Sequence, residues 1–121
     1  YFLNEEGERE TIGSDPTELP FGDSIKTVKK GMWSAVNGPR ATIRTLSGLG
    51  VEVAAKTGTA EFGALSKDGT YENTHAWTTS FFPFDNPKYT MTIFLEDGGE
   101  SINAVRVSRQ MVEWMIKEDL I

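Results

Sequence analysis

The sequence predicts an α+β fold in which an antiparallel sheet carries a C-terminal helix packed on it. Three observations lead there. Ile25, Val28, Met32 and Val36 recur three and four apart, the period of a helix with one apolar stripe. Tyr89, Met91, Ile93 and Leu95 alternate with Thr90, Thr92 and Phe94, the period of a half-buried strand. Ile102, Val105, Val112, Met115 and Ile116 share one face of a second helix, with Arg106, Arg109, Glu113 and Lys117 pointing elsewhere. Strands between helices, without a repeating strand–helix–strand unit, indicate an α+β arrangement rather than a parallel sheet.

The elements follow in order. Residues 1–23 are rich in Gly, Pro, Asp and Glu and read as a hairpin or irregular lead-in. The first helical region spans 24–47. It opens at Asp23 or Ser24 as N-cap, and Asn37-Gly38-Pro39 stops the main helix. Gly31 inside it costs about 1 kcal/mol relative to alanine. Residues 41–47 suggest one more short helix. A three-strand antiparallel sheet is expected over 51–97. Its first strand runs from Val51 to Lys56, and residues 62–74 form a loop or loose hairpin. Its second strand spans 75–82, Asp85-Asn86-Pro87 makes a turn, and the third strand follows until Asp97-Gly98-Gly99 breaks it. In the second strand the large residues Trp77 and Phe81 fall on one face and are expected to be core. The last helix spans 101–118, with Ser101 as its N-cap. Trp33 and Trp114 are expected to pack on their helices.

Composition narrows the function. The chain has 121 residues, 12 Lys+Arg against 18 Asp+Glu, a net charge of −6, and 38% hydrophobic residues. An acidic chain with scattered cations (Lys29-Lys30 and the pair Arg40 and Arg44 are the densest) does not suit a phosphate backbone, so no nucleic-acid partner is expected. Glu5, Glu6, Glu8 and Glu10 read as a solvated face. With no cysteine, thiolate metal sites, disulfides and cysteine nucleophiles are excluded. One histidine, His75, leaves no multi-histidine metal centre.

The chemistry-bearing stretch is Lys56-Thr57-Gly58-Thr59-Ala60 at the end of an apolar strand. Gly50 to Thr57 comes within one residue of a P-loop, but Ala55 stands where the second phosphate-cradling glycine must be. The phosphorylated-aspartate motif of ion-pumping ATPases fails at the same position, because alanine cannot be a nucleophile. The third user of these letters is the Lys-Thr-Gly strand of serine penicillin-binding proteins and β-lactamases.

The flanking residues make the likeness to that third group specific. Val53-Ala54-Ala55-Lys56-Thr57-Gly58-Thr59-Ala60-Glu61 resembles the third-strand motif of class B penicillin-binding proteins of the elongation type. Val28 to Asn37 resembles the family's preceding helix, and His75 to Pro83 its next strand. Asp85 to Tyr89, with Phe94 to Gly99, resembles its last hairpin. The blocks are collinear from about residue 24 to the end. The resemblance implies the C-terminal portion of a penicillin-binding/β-lactamase-like transpeptidase fold. The whole domain would cross-link peptidoglycan stem peptides by serine acyl transfer and be acylated by β-lactams. Lys56 would be the cleft lysine. Thr57 and Thr59 would bind the substrate carboxylate, Thr59 would give a backbone N–H to the oxyanion hole, and Gly58 would let the substrate approach. No metal or organic cofactor is implied. Expected partners are stem peptides, β-lactams, the remainder of the same domain and the cell-wall synthesis machinery. The resemblance places the site on the outer face of the cytoplasmic membrane, behind an N-terminal anchor.

One departure matters. The family's Ser-x-x-Lys, bearing the nucleophile, occurs nowhere in this sequence. Ser101-Ile102-Asn103 and Tyr71-Glu72-Asn73 match Ser-x-Asn or Tyr-x-Asn by letters but follow Lys56 instead of preceding it. The isolated chain is therefore expected to be inactive, marginally stable, and short of cover for one sheet face. A D,D-carboxypeptidase or β-lactamase relative, or a non-catalytic substrate-binding module, would share these features. His75 is expected to be satisfied by a backbone group as readily as to line the cleft, and Glu61 to be a loop carboxylate.

Overall fold

The structure, a computed structural model, describes residues 2, 3, 6–10 and 20–121. Most of the lead-in expected over 1–23 lies outside the described residues. Within it, β1 (Phe2–Leu3) pairs antiparallel with β2 (Arg9–Glu10). Helix α1 follows at Ser24–Asn37, then a 3-10 turn at Arg44–Leu46. Strands β3 (Ala54–Leu65), β4 (Tyr71–Phe82) and β5 (Tyr89–Leu95) form one antiparallel sheet in the order β3-β4-β5, and α2 (Ser101–Lys117) closes the chain. The arrangement is α+β, a small sheet with helices packed on it.

The core sits at one end of the sheet. Val36 of α1, Ile43 and Leu46 around the 3-10 turn, Val53 and Ala55 at the start of β3, Phe82 at the end of β4, and Val105 and Val112 of α2 form one buried cluster. Asn37 fixes how α1 enters it. Its side-chain amide donates to the Val53 carbonyl at 2.9 Å and to Trp33 O at 3.3 Å, tying the helix end to the residue before β3. Arg109 of α2 donates through Nη1 to Thr45 O and through Nε to Glu113 Oε1 at 2.7 Å, which joins α2 to the 3-10 turn.

Helix α2 lies on the sheet face that carries Ala76, Thr78, Ser80 and Phe82, all buried. The large residues of β4 were expected to mark the core, and this is corrected for Trp77. It is 38% exposed and leans on Phe94, while Phe81 is buried against Phe84 and beneath Lys29. Small side chains on the buried face let Ala104, Val105 and Ser108 of α2 come close to the strand, and that close packing decides which face is core. Trp114 is also corrected: it stands 50% exposed on the outer side of α2.

Three boundaries differ from expectation. The first strand begins at Ala54 rather than Val51 and runs to Leu65. The loop expected over 62–74 is mostly ladder. Only Ser66–Thr70 turns, and Gly63, at φ +91°, accommodates the register shift between Phe62 and Leu65. The N-cap of α2 is Glu100 rather than Ser101, which is the first helical residue; Asp23, one of the two positions expected, is the N-cap of α1, and neither makes a side-chain cap. Before α2, an added Cβ at Gly98 would lie 2.5 Å from Leu95 Cβ, so only glycine fits that tight turn. Asn103 secures the turn by donating to Gly98 O at 2.8 Å.

Candidate functional site

Lys56-Thr57-Gly58-Thr59 lies in the first half of β3, directly after the fully buried pair Ala54-Ala55. The buried pair anchors the strand, and the four residues that follow emerge from the core. Among the described residues β3 pairs only with β4, so its other edge is free along its length. A free edge presents unpaired backbone N–H and C=O groups, which a peptide can complete as an added strand.

Strand alternation divides the four residues. Lys56 pairs with Thr79 and Gly58 with Trp77, and these point away from α2. Thr57 pairs with Thr78 and Thr59 with Ala76, on the α2 side. Lys56 is exposed and its Nζ donates to Thr57 O. Helix α1 covers this face only at the base, where Lys29 lies over Phe81, and the face is open beyond it. Thr79 and Thr92 have hydroxyls 3.2 Å apart, and the rings of Trp77 and Phe94 are 4.3 Å apart, with Phe94 44% exposed. At Gly58, an added Cβ would meet only the Trp77 side chain, Cβ at 3.4 Å and Cγ at 4.0 Å, an ordinary contact. The fold itself thus makes no demand for glycine at that position.

His75 lies farther along the same face, opposite Ala60. Its ring stacks on Phe62 with centroids 4.0 Å apart, meets Phe94 edge-on, and accepts the Asp97 backbone N–H at Nδ1 (3.1 Å). It is engaged by a backbone group and ties the hairpin to the β5–α2 turn. Asn103, the asparagine of Ser101-Ile102-Asn103, is taken up by Gly98 O and Arg106. Asn73 pairs with Phe62 within the ladder, far along from Lys56. A concavity of about 430 Å³ lies at the other end of the sheet between Leu49–Glu52, Pro83–Asp85, Ile116 and Ile121, and touches none of residues 56–59. No group of three or more His, Cys, Asp or Glu that could hold a metal occurs among the described residues.

Residues 16–113 match the penicillin binding protein transpeptidase domain family. The chain belongs to that family. As a penicillin-binding transpeptidase segment it has relatives among elongation-type enzymes. It is 32% identical over 105 residues to the peptidoglycan D,D-transpeptidase MrdA of Haemophilus influenzae, covering 78% of this chain and 16% of that protein. Against MrdA of Escherichia coli K12 the identity is 28% over 117 residues, 86% of this chain and 18% of the relative. The solved penicillin-binding protein PBP2 of Helicobacter pylori superposes with a TM-score of 0.71 at 25% identity, over 88% of this chain and 19% of that one. Penicillin-binding protein A of Mycobacterium tuberculosis, solved as an imipenem acyl-enzyme, gives a TM-score of 0.55 at 27% identity over 73% of this chain. This penicillin-binding transpeptidase segment therefore spans under a fifth of the length of each of these four proteins.

Sequence reasoning missed how far β3 extends. Glu61, expected in a loop, is a strand residue paired with Thr74. The sequence offered little signal: of Tyr71 to Thr74 opposite it only Tyr71 and Thr74 favour strands, and Glu72 and Asn73 do not.

Proposed function

We propose that this chain supplies one wall of the active site of a peptidoglycan D,D-transpeptidase, the wall along which the donor stem peptide lies. The observation that carries this is the free edge of β3 at Lys56-Thr57-Gly58-Thr59, with Lys56 exposed on the sheet face opposite α2, just beyond the part that α1 covers at Phe81. In this reading the rest of the transpeptidase domain, with its Ser-x-x-Lys, covers that open face. Lys56 then stands beside the serine, and its charge favours deprotonation of the hydroxyl and holds the substrate carboxylate. Thr57 and Thr59 hydroxyls bind that carboxylate. The Thr59 backbone N–H stabilises the oxyanion as the serine attacks the penultimate D-alanine carbonyl. D-alanine leaves, and the amine of a second stem peptide takes the acyl group. The site faces the outside of the cytoplasmic membrane, and the cell-wall synthesis machinery is its setting. No helix among the described residues is long and apolar enough to cross the membrane.

The test uses the complete polypeptide carrying this chain and fluorescent penicillin. Lys56→Ala is expected to slow acylation about a hundredfold or more with the melting temperature unchanged. Gly58→Ala is expected to fold normally, because its Cβ meets only an ordinary contact, yet to acylate about tenfold more slowly as the ligand is displaced from the strand. The isolated chain is expected to form no penicillin adduct by intact mass. Full acylation by Lys56→Ala protein would overturn the assignment.

A further inference from the structure

We infer that Glu61 is a specificity-determining residue of the same strand, reading a side-chain ammonium on the donor peptide. The inference rests on the proposed function, and the order of groups in that reading fixes the peptide's direction. With the terminal carboxylate at Thr57 and Thr59, and the scissile carbonyl at the Thr59 N–H, the peptide runs antiparallel to β3. Its residues upstream of the scissile bond therefore lie beside residues 60–62. At about 3.3 Å per residue, Glu61 stands roughly 7 Å beyond Thr59 along the edge.

Three observations single it out. Glu61 is in the strand, paired with Thr74, so alternation puts it on the same face as Thr57 and Thr59. It is exposed. Its side chain makes no hydrogen bond or ion pair with any other described residue. Lys56, the cation of the strand, is on the opposite face and engaged by Thr57 O. The edge is thus bipolar, with a cation where the peptide's carboxylate ends and an unengaged carboxylate where its upstream side chains pass.

Transpeptidation supplies the complementary group. Each stem peptide must be able to serve as acceptor, so each carries an amine, and a peptide bound as donor carries that amine too. Placed on a side chain upstream of the D-alanyl-D-alanine terminus, the ammonium passes Glu61. An uncharged or acylated side chain at that position forfeits the attraction. The recognised chemistry is a primary ammonium of a diamino-acid residue.

The readout is a ratio within one protein. Acyl-donor peptides ending in D-alanyl-D-alanine are prepared with the upstream side-chain amine free or N-acetylated, and kcat/KM for acylation of the complete polypeptide is measured with each. The wild-type protein is expected to favour the free amine by about three- to fivefold at low salt, the range of an exposed ion pair. Glu61→Gln should abolish the preference and Glu61→Lys should reverse it. Retention of the preference in Glu61→Gln, or none in the wild type, would overturn the inference and leave the strand assignment standing. Penicillin acylation that survives Lys56→Ala would remove the strand assignment, and this inference with it.

Discussion

At its base the β3–β4 pair is enclosed by α2 and the end of α1, and Ala54, Ala55 and Phe82 are fully buried. At the far end of the same ladder, Leu65 and its partner Tyr71 stand 60% and 42% exposed. One hairpin is thus held by buried packing at one end and, toward the other, by ladder hydrogen bonds and the Phe62–His75 ring stack. The Lys-Thr-Gly residues lie where one regime gives way to the other. A substrate edge placed there is rigid on one side and open on the other, so its residues can change without loss of the fold.

The largest effect that sharpens this contrast is Phe82→Ala. It should cost about 3–5 kcal/mol in denaturant unfolding, since it opens a cavity in the only buried cluster among the described residues. Leu65→Ala at the tip should stay within about 0.5 kcal/mol. Comparable losses from both would break the comparison. Arg109→Met comes next. It removes the bond from α2 to Thr45 O and should cost about 1–2 kcal/mol. No loss would mean the 3-10 turn holds itself.

Thr78→Val should act in the opposite direction. Thr78 Oγ1 is buried beneath α2 with no hydrogen-bond partner. Replacing that hydroxyl with a methyl should stabilise the base by about 1 kcal/mol, seen as a higher melting temperature. The smallest effect is at the tip. The Ser66 hydroxyl, then the hydroxyl and backbone N–H of Thr70, hold the exposed Asp68 carboxyl down at about 2 from the usual 3.8. A depressed carboxylate contributes fully above its unfolded value and loses that contribution as pH falls through the folded one. The turn should therefore keep its form to well below pH 3.8 and loosen towards pH 2. An Asp68 titration midpoint near 3.8 by NMR would show that the turn does not hold the carboxylate.

The helices and the third strand were legible because their apolar residues recur at the period of the element that buries them. Ile25 and Val28 show the limit of that signal: they fit the stripe of α1 yet stand 42% and 54% exposed, because periodicity marks a face without saying what meets it. The outer half of the hairpin was not legible, since a ladder exposed on both faces needs no alternation of apolar and polar residues. The buried face of β4 was misread because size stood in for burial. Trp77 is large and outward, while Thr78 and Ser80 are small, polar and enclosed. The Lys-Thr-Gly residues were readable by letters, whereas the position of Glu61 beside them depended on register, which only the folded strand fixes.

The sheet has a second free edge among the described residues, on β5, and the two differ in a way that bears on handling the protein. Strand β3 carries Lys56 and Glu61 and is interrupted by Gly58 and Gly63, features that discourage indiscriminate pairing. Strand β5, Tyr-Thr-Met-Thr-Ile-Phe-Leu, has no charge, proline or glycine over seven residues. Such a strand recruits others like itself. The isolated chain should therefore self-associate through β5 on concentration, and a lysine at Thr92, mid-strand and exposed, should raise its solubility limit.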